Sequence, residues 1–434
     1  MNGSQRWLAL LWRARLAIVI AAIVITLIVI SGSRATFLLG ILIFIVALLL
    51  SVMLHELGHF LTAKKFGMRV TQFFLGFGTT LWSRVRGETE YGVKALPFGG
   101  FVKITGMTSL EEVDAADEPR SFRNQPGWQR MIVLAAGSFM HFVLALFLLF
   151  VLAIGVGQSN TNTNVVQSIA KCVPGSVAAL GSSDPCAHGN LGKSPAEIAG
   201  VKPNDKIVSI DGHRVSTWNQ LHTALRASPT NTNLPMVVLR DGKNVDLTVM
   251  LAHIPNRPVP YLGVEPAILY ERQNPWNAIK FAGNQFGQTL TSSASAIGKL
   301  PSAIPDLFSK NRSHTAAGQV SSVVGVGNVT GDVVEAAIPW QAKVTLVLLL
   351  VASLNIFVGA FNLLPLLPLD GGHLAVVIFE RIRAWFYRLR GRPDPGLVDI
   401  QKLVPVSLLV FAVLVGLGTL LIAADIFNPV HLQV

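Results

Sequence analysis

Charge is scarce in this chain. Only 14% of its 434 residues are Asp, Glu, Lys or Arg, while 51% are hydrophobic; soluble domains carry about 25% charged residues. That balance excludes an ordinary soluble protein and leaves a membrane protein. Cysteine is rarer still. Cys172 and Cys186 are the only two, and neither has a C-x-x-C neighbour, which argues against a cysteine-built metal site. No Arg/Lys-rich module with interleaved aromatics occurs, so nucleic acid is not an expected partner. No internal repeat with related broken segments occurs either, which argues against a transporter. The net charge of +11 is then read as loops facing the anionic surface of a lipid bilayer.

What the chain does have is five apolar segments. Residues 16–30 follow Arg6, Arg13 and Arg15, and residues 1–35 are expected to be a span or signal anchor. The second segment, 36–66, ends in His55-Glu56-Leu57-Gly58-His59. On a helix, positions i and i+4 share a face, so His55 and His59 can hold one metal ion while Glu56 serves as a general base beside it. Residues 36–54 carry no charge and are about long enough to cross a bilayer, where ionisable groups are costly and usually functional. Spans are also expected at 131–156, 344–373 and 404–427.

Residues 61–130 hold ten Lys/Arg and 379–403 hold six, so the positive-inside rule places regions 67–130 and 374–403 in the cytoplasm. The metal motif then lies near the cytoplasmic side of the cell membrane, and residues 157–340 lie outside. Region 67–130 reads as a glycine-rich, membrane-associated β-hairpin loop; 374–403 reads as a basic loop. Residues 163–255 read as a compact extracytoplasmic α/β domain, and 256–343 as a linker with an amphipathic surface helix. Within the α/β domain, Ala199-Gly200-Val201 through Asp205 to Ile210-Asp211-Gly212 resembles a PDZ domain, a module that binds peptides by strand addition. A steric gate without a ligand is the competing role. A disulfide between Cys172 and Cys186 is plausible on the oxidising side, free thiols being the alternative.

Two histidines leave zinc short of a third protein ligand. The run Asn362-Leu363-Leu364-Pro365-Leu366-Leu367-Pro368-Leu369-Asp370-Gly371-Gly372-His373 ends the fourth segment. Its prolines cannot continue a helix, and unwound backbone at membrane depth lines a protein-enclosed or wet cavity. Asp370 is the expected third ligand, brought to the depth of His55 and His59 by topology.

These pieces together resemble the site-2 protease family of intramembrane zinc metalloproteases, in its bacterial single-PDZ, actinobacterial-like branch. The matching residues are His55 to His59, Gly76-Phe77-Gly78 through Pro97-Phe98-Gly99-Gly100-Phe101-Val102-Lys103, the PDZ-like stretch, and Asn362-x-x-Pro365 leading to Asp370-Gly371-Gly372. The resemblance implies a zinc endopeptidase that cuts a single-span membrane protein, such as an anti-sigma factor, after an upstream site-1 protease has acted. It implies His55, His59 and Asp370 as zinc ligands, Glu56 as general base, and substrate contacts at Asn362, Gly99 and Gly100. One departure stands out. The family's usual G-P-x-x-N pattern is Gly137-Ser138-Phe139-Met140-His141 here. His141 is either a substrate or metal-site contact or a packing replacement for asparagine. Two rival readings are a membrane-anchored zinc peptidase degrading soluble or misfolded proteins, and a non-catalytic PDZ membrane adaptor.

Overall fold

The computed structural model describes residues 35–107, 111–180, 184–187, 191–309, 312 and 315–430. The expected N-terminal segment lies outside them, apart from Ala35, which opens helix α1 (Ala35–Lys65). A run rich in Leu, Ile and Val forms this helix, and no proline interrupts it. Gly67, in the left-handed region at φ +74°, ends it, with the Met68 amide returning to the Ala63 carbonyl at 3.0 Å.

Strands β1 (Val70–Arg86) and β2 (Thr89–Ile104) follow. They are more than a plain hairpin. Phe73 registers with both Val102 and Tyr91, Phe74 with both Phe101 and Gly92, and Leu75 with both Gly100 and Val93. The first half of β1 therefore has partners on both sides, because both strands fold back on themselves. Gly76 and Gly78 supply the positive φ at the bend, and a Cβ on Gly76 would lie 2.7 Å from the Leu96 carbonyl oxygen. Helix α2 (Gly127–Gly155) comes next.

Residues 155–273 form a separate compact unit. It contains β3 (Gln158–Asn160), β4 (Val166–Ile169), α3 (Val177–Leu180), α4 (Pro195–Ala199), β5 (Lys206–Ile210), β6 (His213–Arg214), α5 (Trp218–Ala227), β7 (Asn233–Arg240), β8 (Lys243–Met250), β9 (Val264–Pro266) and β10 (Leu269–Glu271). An antiparallel sheet in the order β6-β5-β7-β8 packs with α5 around Ile207, Ile210, Leu221, Met236 and Val238. Truncating one of the buried isoleucines to Ala would cost about 2–5 kcal/mol. Asp205, 1% exposed, accepts two hydrogen bonds from Arg240 at 2.7 and 2.8 Å and one from the Lys202 amide at 2.8 Å. Cys172 and Cys186 are disulfide-bonded. The unit extends beyond the expected 163–255 on both sides because β3 pairs with β10 and β4 with β9. Those three- and four-residue strands are too short to carry a readable period.

The chain continues with α6 (Pro275–Ala303), α7 (Val323–Glu335), α8 (Trp340–Asn362), α9 (Asp370–Leu389) and α10 (Val404–Phe427). Two expectations are corrected here. Residues 256–343 are not a linker with one surface helix: 256–273 belong to the α/β unit, and α6 and α7 pack against other helices. Ala282, Phe286 and Leu290 of α6 meet Ala145 and Leu149 of α2 and Ala352 and Ile356 of α8. Gly331 of α7 lies against Phe37 of α1, and Gly40 of α1 lies against the α7 backbone at Thr330 and Gly331, small residues permitting close helix approach. Nor is 374–403 simply a basic loop, since most of it continues α9 as an amphipathic helix. A count of arginines reports sidedness and is blind to helicity.

Helices α1, α2, α8 and the stretch Gln401–Phe427 are long and apolar enough to cross a membrane. The end of α1, the base of the hairpin, the start of α2 and α9 share a core of Ala63, Met68, Val70, Ile104, Phe122, Val133, Leu134 and Val377. That core sets the relative positions of the elements that carry the site.

Candidate metal centre

One helical turn separates His55 from His59, and their Nε2 atoms lie 3.1 Å apart. Asp370 Oδ2 is 3.2 Å from His55 Nε2 and 3.3 Å from His59 Nε2. The break expected at the prolines before Asp370 is present. After α8 the chain turns through Leu363–Leu369 before α9 begins at Asp370. A side chain on Gly371 would collide with the carbonyls of Leu363 and Leu364, and one on Gly372 would sit 2.5 Å from the Leu367 nitrogen. Glycine at both positions lets the turn press against the start of α9 and so fixes where Asp370 emerges.

The site holds its ligands in orientation. His59 donates from Nδ1 to the Val133 carbonyl of α2 at 2.7 Å, which leaves the Nε2 lone pair directed at His55 and Asp370. Gly137, one turn further along α2, faces the two rings. A Cβ there would come within 2.6 Å of His55 Nε2 and would also strike His59 Nε2. Asp370 Oδ2 and His55 Nδ1 are buried with no hydrogen-bond partner. Two imidazole nitrogens and a carboxylate oxygen within 4.8 Å of one another, with an unpartnered oxygen among them, fit a divalent ion that keeps a further position open.

Glu56 follows His55 on α1 and lies against β2. The Val102 backbone hydrogen-bonds its carboxyl, and a Cβ on Gly100 would lie 3.3 Å from its Cγ. Gly100 thus lets the strand lie close against the helix. Gly99, at φ +126°, would bring any side chain against the Phe77 ring. Asn362 closes α8, half-buried.

His141 sits beside the ligands, its ring centroid 5.0 Å from that of His55. It donates from Nδ1 to Asn355 Oδ1 at 2.7 Å. Asn355 donates in turn to Ser51 Oγ at 3.0 Å and to the Val351 carbonyl at 2.8 Å. Ser51 donates to the Ala47 carbonyl at 2.9 Å. This relay ties α1, α2 and α8 together behind the site. Sequence reasoning missed Asn355, Ser51 and the Val133 carbonyl. A polar amide inside an uncharged apolar helix was the available signal for Asn355; a backbone carbonyl gives none.

Paired imidazoles and a carboxylate on a helix of membrane-crossing length, with a convergent carboxylate brought in by the break after another, define a membrane-embedded metal-dependent hydrolase. The model of Peptidase family M50 matches residues 43–392, and the chain belongs to that family. It is 36% identical over 412 residues to zinc metalloprotease Rip1 of Mycobacterium tuberculosis, covering 91% of this chain and 99% of that protein. It is 35% identical over 421 residues to zinc metalloprotease Rip1 of Mycolicibacterium smegmatis, covering 91% and 98%. It is 28% identical over 386 residues to metalloprotease MmpA of Caulobacter vibrioides, covering 79% and 88%. The chain is a zinc metalloendopeptidase of the site-2 protease kind and an integral membrane protein.

Proposed function

We propose that this enzyme cuts single-span membrane proteins within or at the edge of the bilayer, with His55, His59 and Asp370 holding zinc and Glu56 acting as general base. The observation that carries the reading is the closure of the three ligand atoms onto one point beside Glu56. Bound zinc supplies Lewis acidity and a water of lowered pKa. Glu56 takes the proton as the peptide carbonyl is attacked and returns it to the leaving nitrogen. His141, steadied by Asn355 and Ser51, lines the ligand side of the same space.

A helical substrate must unwind before cleavage, because its carbonyls are otherwise hydrogen-bonded. Residues 100–104 of β2 register with β1 on one side, and among the described residues no strand pairs with the other. That edge can hold an extended substrate by strand addition, with Gly99 and Gly100 letting it run close to Glu56. Asn362 contacts substrate where α8 ends.

The α/β unit is read as a PDZ domain outside the cytoplasm, taking a peptide end or acting as a steric gate, with the metal site toward the cytoplasmic side. Asn204 at φ +70° supports the PDZ reading, since it adopts the left-handed conformation usually given to glycine in that motif. An anti-sigma factor trimmed by an upstream protease is the proposed class of substrate. The test is the full chain reconstituted with a labelled single-span peptide. Wild type should cleave it near the membrane boundary, while Glu56→Gln should keep its zinc and lose about 100- to 10,000-fold in turnover. Cleavage of soluble unfolded proteins only, or full turnover by Glu56→Gln, would defeat the reading.

A further inference from the structure

We propose that the cavity between the start of α2 and the middle of α9 binds the phosphate headgroup of an anionic phospholipid. It has a volume of about 520 Å³, and its ionisable lining is Arg123, Arg130, Arg381 and Arg388 with Glu380 and Asp394. Arg123 is taken by Glu118, which accepts from its Nε at 2.8 Å and its Nη2 at 2.7 Å; that leaves three guanidinium groups facing two carboxylates, and the carboxylates are engaged. Glu380 accepts from Arg130 at 3.0 Å and from the Val398 amide at 2.8 Å. Asp394 accepts from the Gly396 amide at 3.0 Å and lies 3.9 Å from Arg388.

The donors are in excess. Arg130 is 7% exposed, yet its Nε has no partner. Arg381 has no carboxylate partner among the described residues and lies across Gly127, where a Cβ would be 3.1 Å from its Nη1. One buried guanidinium nitrogen without an acceptor, beside an exposed guanidinium without a carboxylate, fits a phosphodiester, which offers paired oxygens to planar forks.

The location favours a lipid over a free anion. Gly127 begins a helix of membrane-crossing length, so the cavity lies at the level of a bilayer surface. Phe379, Ile382, Trp385 and Phe386 of α9 are each about half exposed. Ile382 and Trp385 line the cavity beside Arg381 and Arg388 and, with Phe379 and Phe386, give α9 an exposed apolar side, as a helix lying in the interfacial plane has. A headgroup in the cavity would leave its acyl chains along that apolar side, contacts that inorganic phosphate cannot make.

Val377, Glu380, Arg381, Ala384 and Arg388 wall the cavity at helical spacing on α9, whose first residue is Asp370. An adjoining smaller cavity shares Arg123, Arg130 and Glu380 and extends to His373, one turn from Asp370. Lipid in this cavity therefore braces the helix that presents the third ligand.

The test uses the full chain in phosphatidylcholine nanodiscs, with or without phosphatidylglycerol. Native mass spectrometry should show phosphatidylglycerol retained by wild type. The double variant R381Q/R388Q should retain it about thirtyfold less, since each basic side chain near an anionic surface contributes about 1 kcal/mol. A second measurement needs no variant: phosphatidylglycerol should slow phenylglyoxal modification of Arg381 in wild type, while phosphatidylcholine and inorganic phosphate should not. Equal retention by the variant, absence of protection, or equal protection by inorganic phosphate overturns the site. Phosphatidylglycerol should also raise peptide turnover by wild type but not by R381Q/R388Q, and a wild type that does not respond overturns the bracing role. That last arm rests on the peptidase reading and the lipid arms do not, so the two fail separately.

Discussion

Two of the clusters of ionisable side chains buried among the described residues are built on opposite principles. Arg312 and Asp425 are 2% and 1% exposed and pair at 2.6 Å. Arg312 also donates to the carbonyls of Asn428 at 2.7 Å and Val320 at 3.0 Å, while Asp425 accepts from the Ser322 amide at 2.6 Å and from Ser321 Oγ at 3.2 Å. Nearly every polar atom there is consumed internally. At the other cluster, His55, His59 and Asp370 turn lone pairs toward one another and leave Asp370 Oδ2 without a hydrogen bond. Burying a polar group unsatisfied costs free energy, so such a deficit persists where something else completes it. Completeness marks the first cluster as structural; incompleteness marks the second as a ligand site.

The sharpest way to break this contrast is to remove one carboxylate from each. Asp370→Asn should abolish peptide cleavage and zinc retention, measured by metal analysis after dialysis, while the chain stays folded. Asp425→Ala should do the reverse. Leaving Arg312 charged, buried and unpaired should cost about 3–5 kcal/mol, seen as early unfolding in a denaturant series, while the fraction that remains folded still holds zinc. If Asp425→Ala lost zinc from folded protein, the two clusters would not be independent. A smaller effect is expected at Gly137. Gly137→Ala pushes a methyl into both imidazoles and should weaken zinc binding about 10- to 100-fold, the range for groups that orient ligands, with little change in overall stability.

How far each cluster could be read from sequence follows from the same difference. The juxtaposition of His55, His59 and Asp370 was legible because these are residue types that metal binding uses at fixed spacing: histidines four apart, and an aspartate where prolines end a helix. The Arg312–Asp425 network was not, because its partners are 113 residues apart and most of its acceptors are backbone carbonyls. The spans at α1, α2, α8 and α10 follow from unbroken apolar runs. The packing of α7 does not, because the glycines that permit its close approach to α1 look like loop composition when read along the chain. The helical character of α9 was hidden by its arginines, and the doubling back of β1 and β2 by the fact that one period describes a strand whichever side its partner lies on.

The smallest expected effect concerns a charge cluster that is complete but exposed to solvent. At the turn between β1 and β2, Glu88 accepts from Arg120 at 2.8 and 2.9 Å and from Lys64, at the end of α1, at 2.5 Å. Arg120, and to a lesser degree Lys64, holds its carboxyl down to about 2, against the usual 4.5. A carboxyl depressed by folding stabilises at pH values above its unfolded pKa, and that contribution fades as pH falls through the folded one. The hairpin tip should therefore be insensitive to pH from neutrality down to about 4.5 and loosen only between there and about 2. Solvent screens these groups, so Glu88→Gln should cost under about 1 kcal/mol at neutral pH. Amide exchange at residues 84–92 is the measurement. A tip that frays between pH 7 and pH 5, well above the unfolded pKa of about 4.3, would mean that groups other than Glu88 hold it. Full satisfaction would then fail as a guide to what anchors the hairpin against α1.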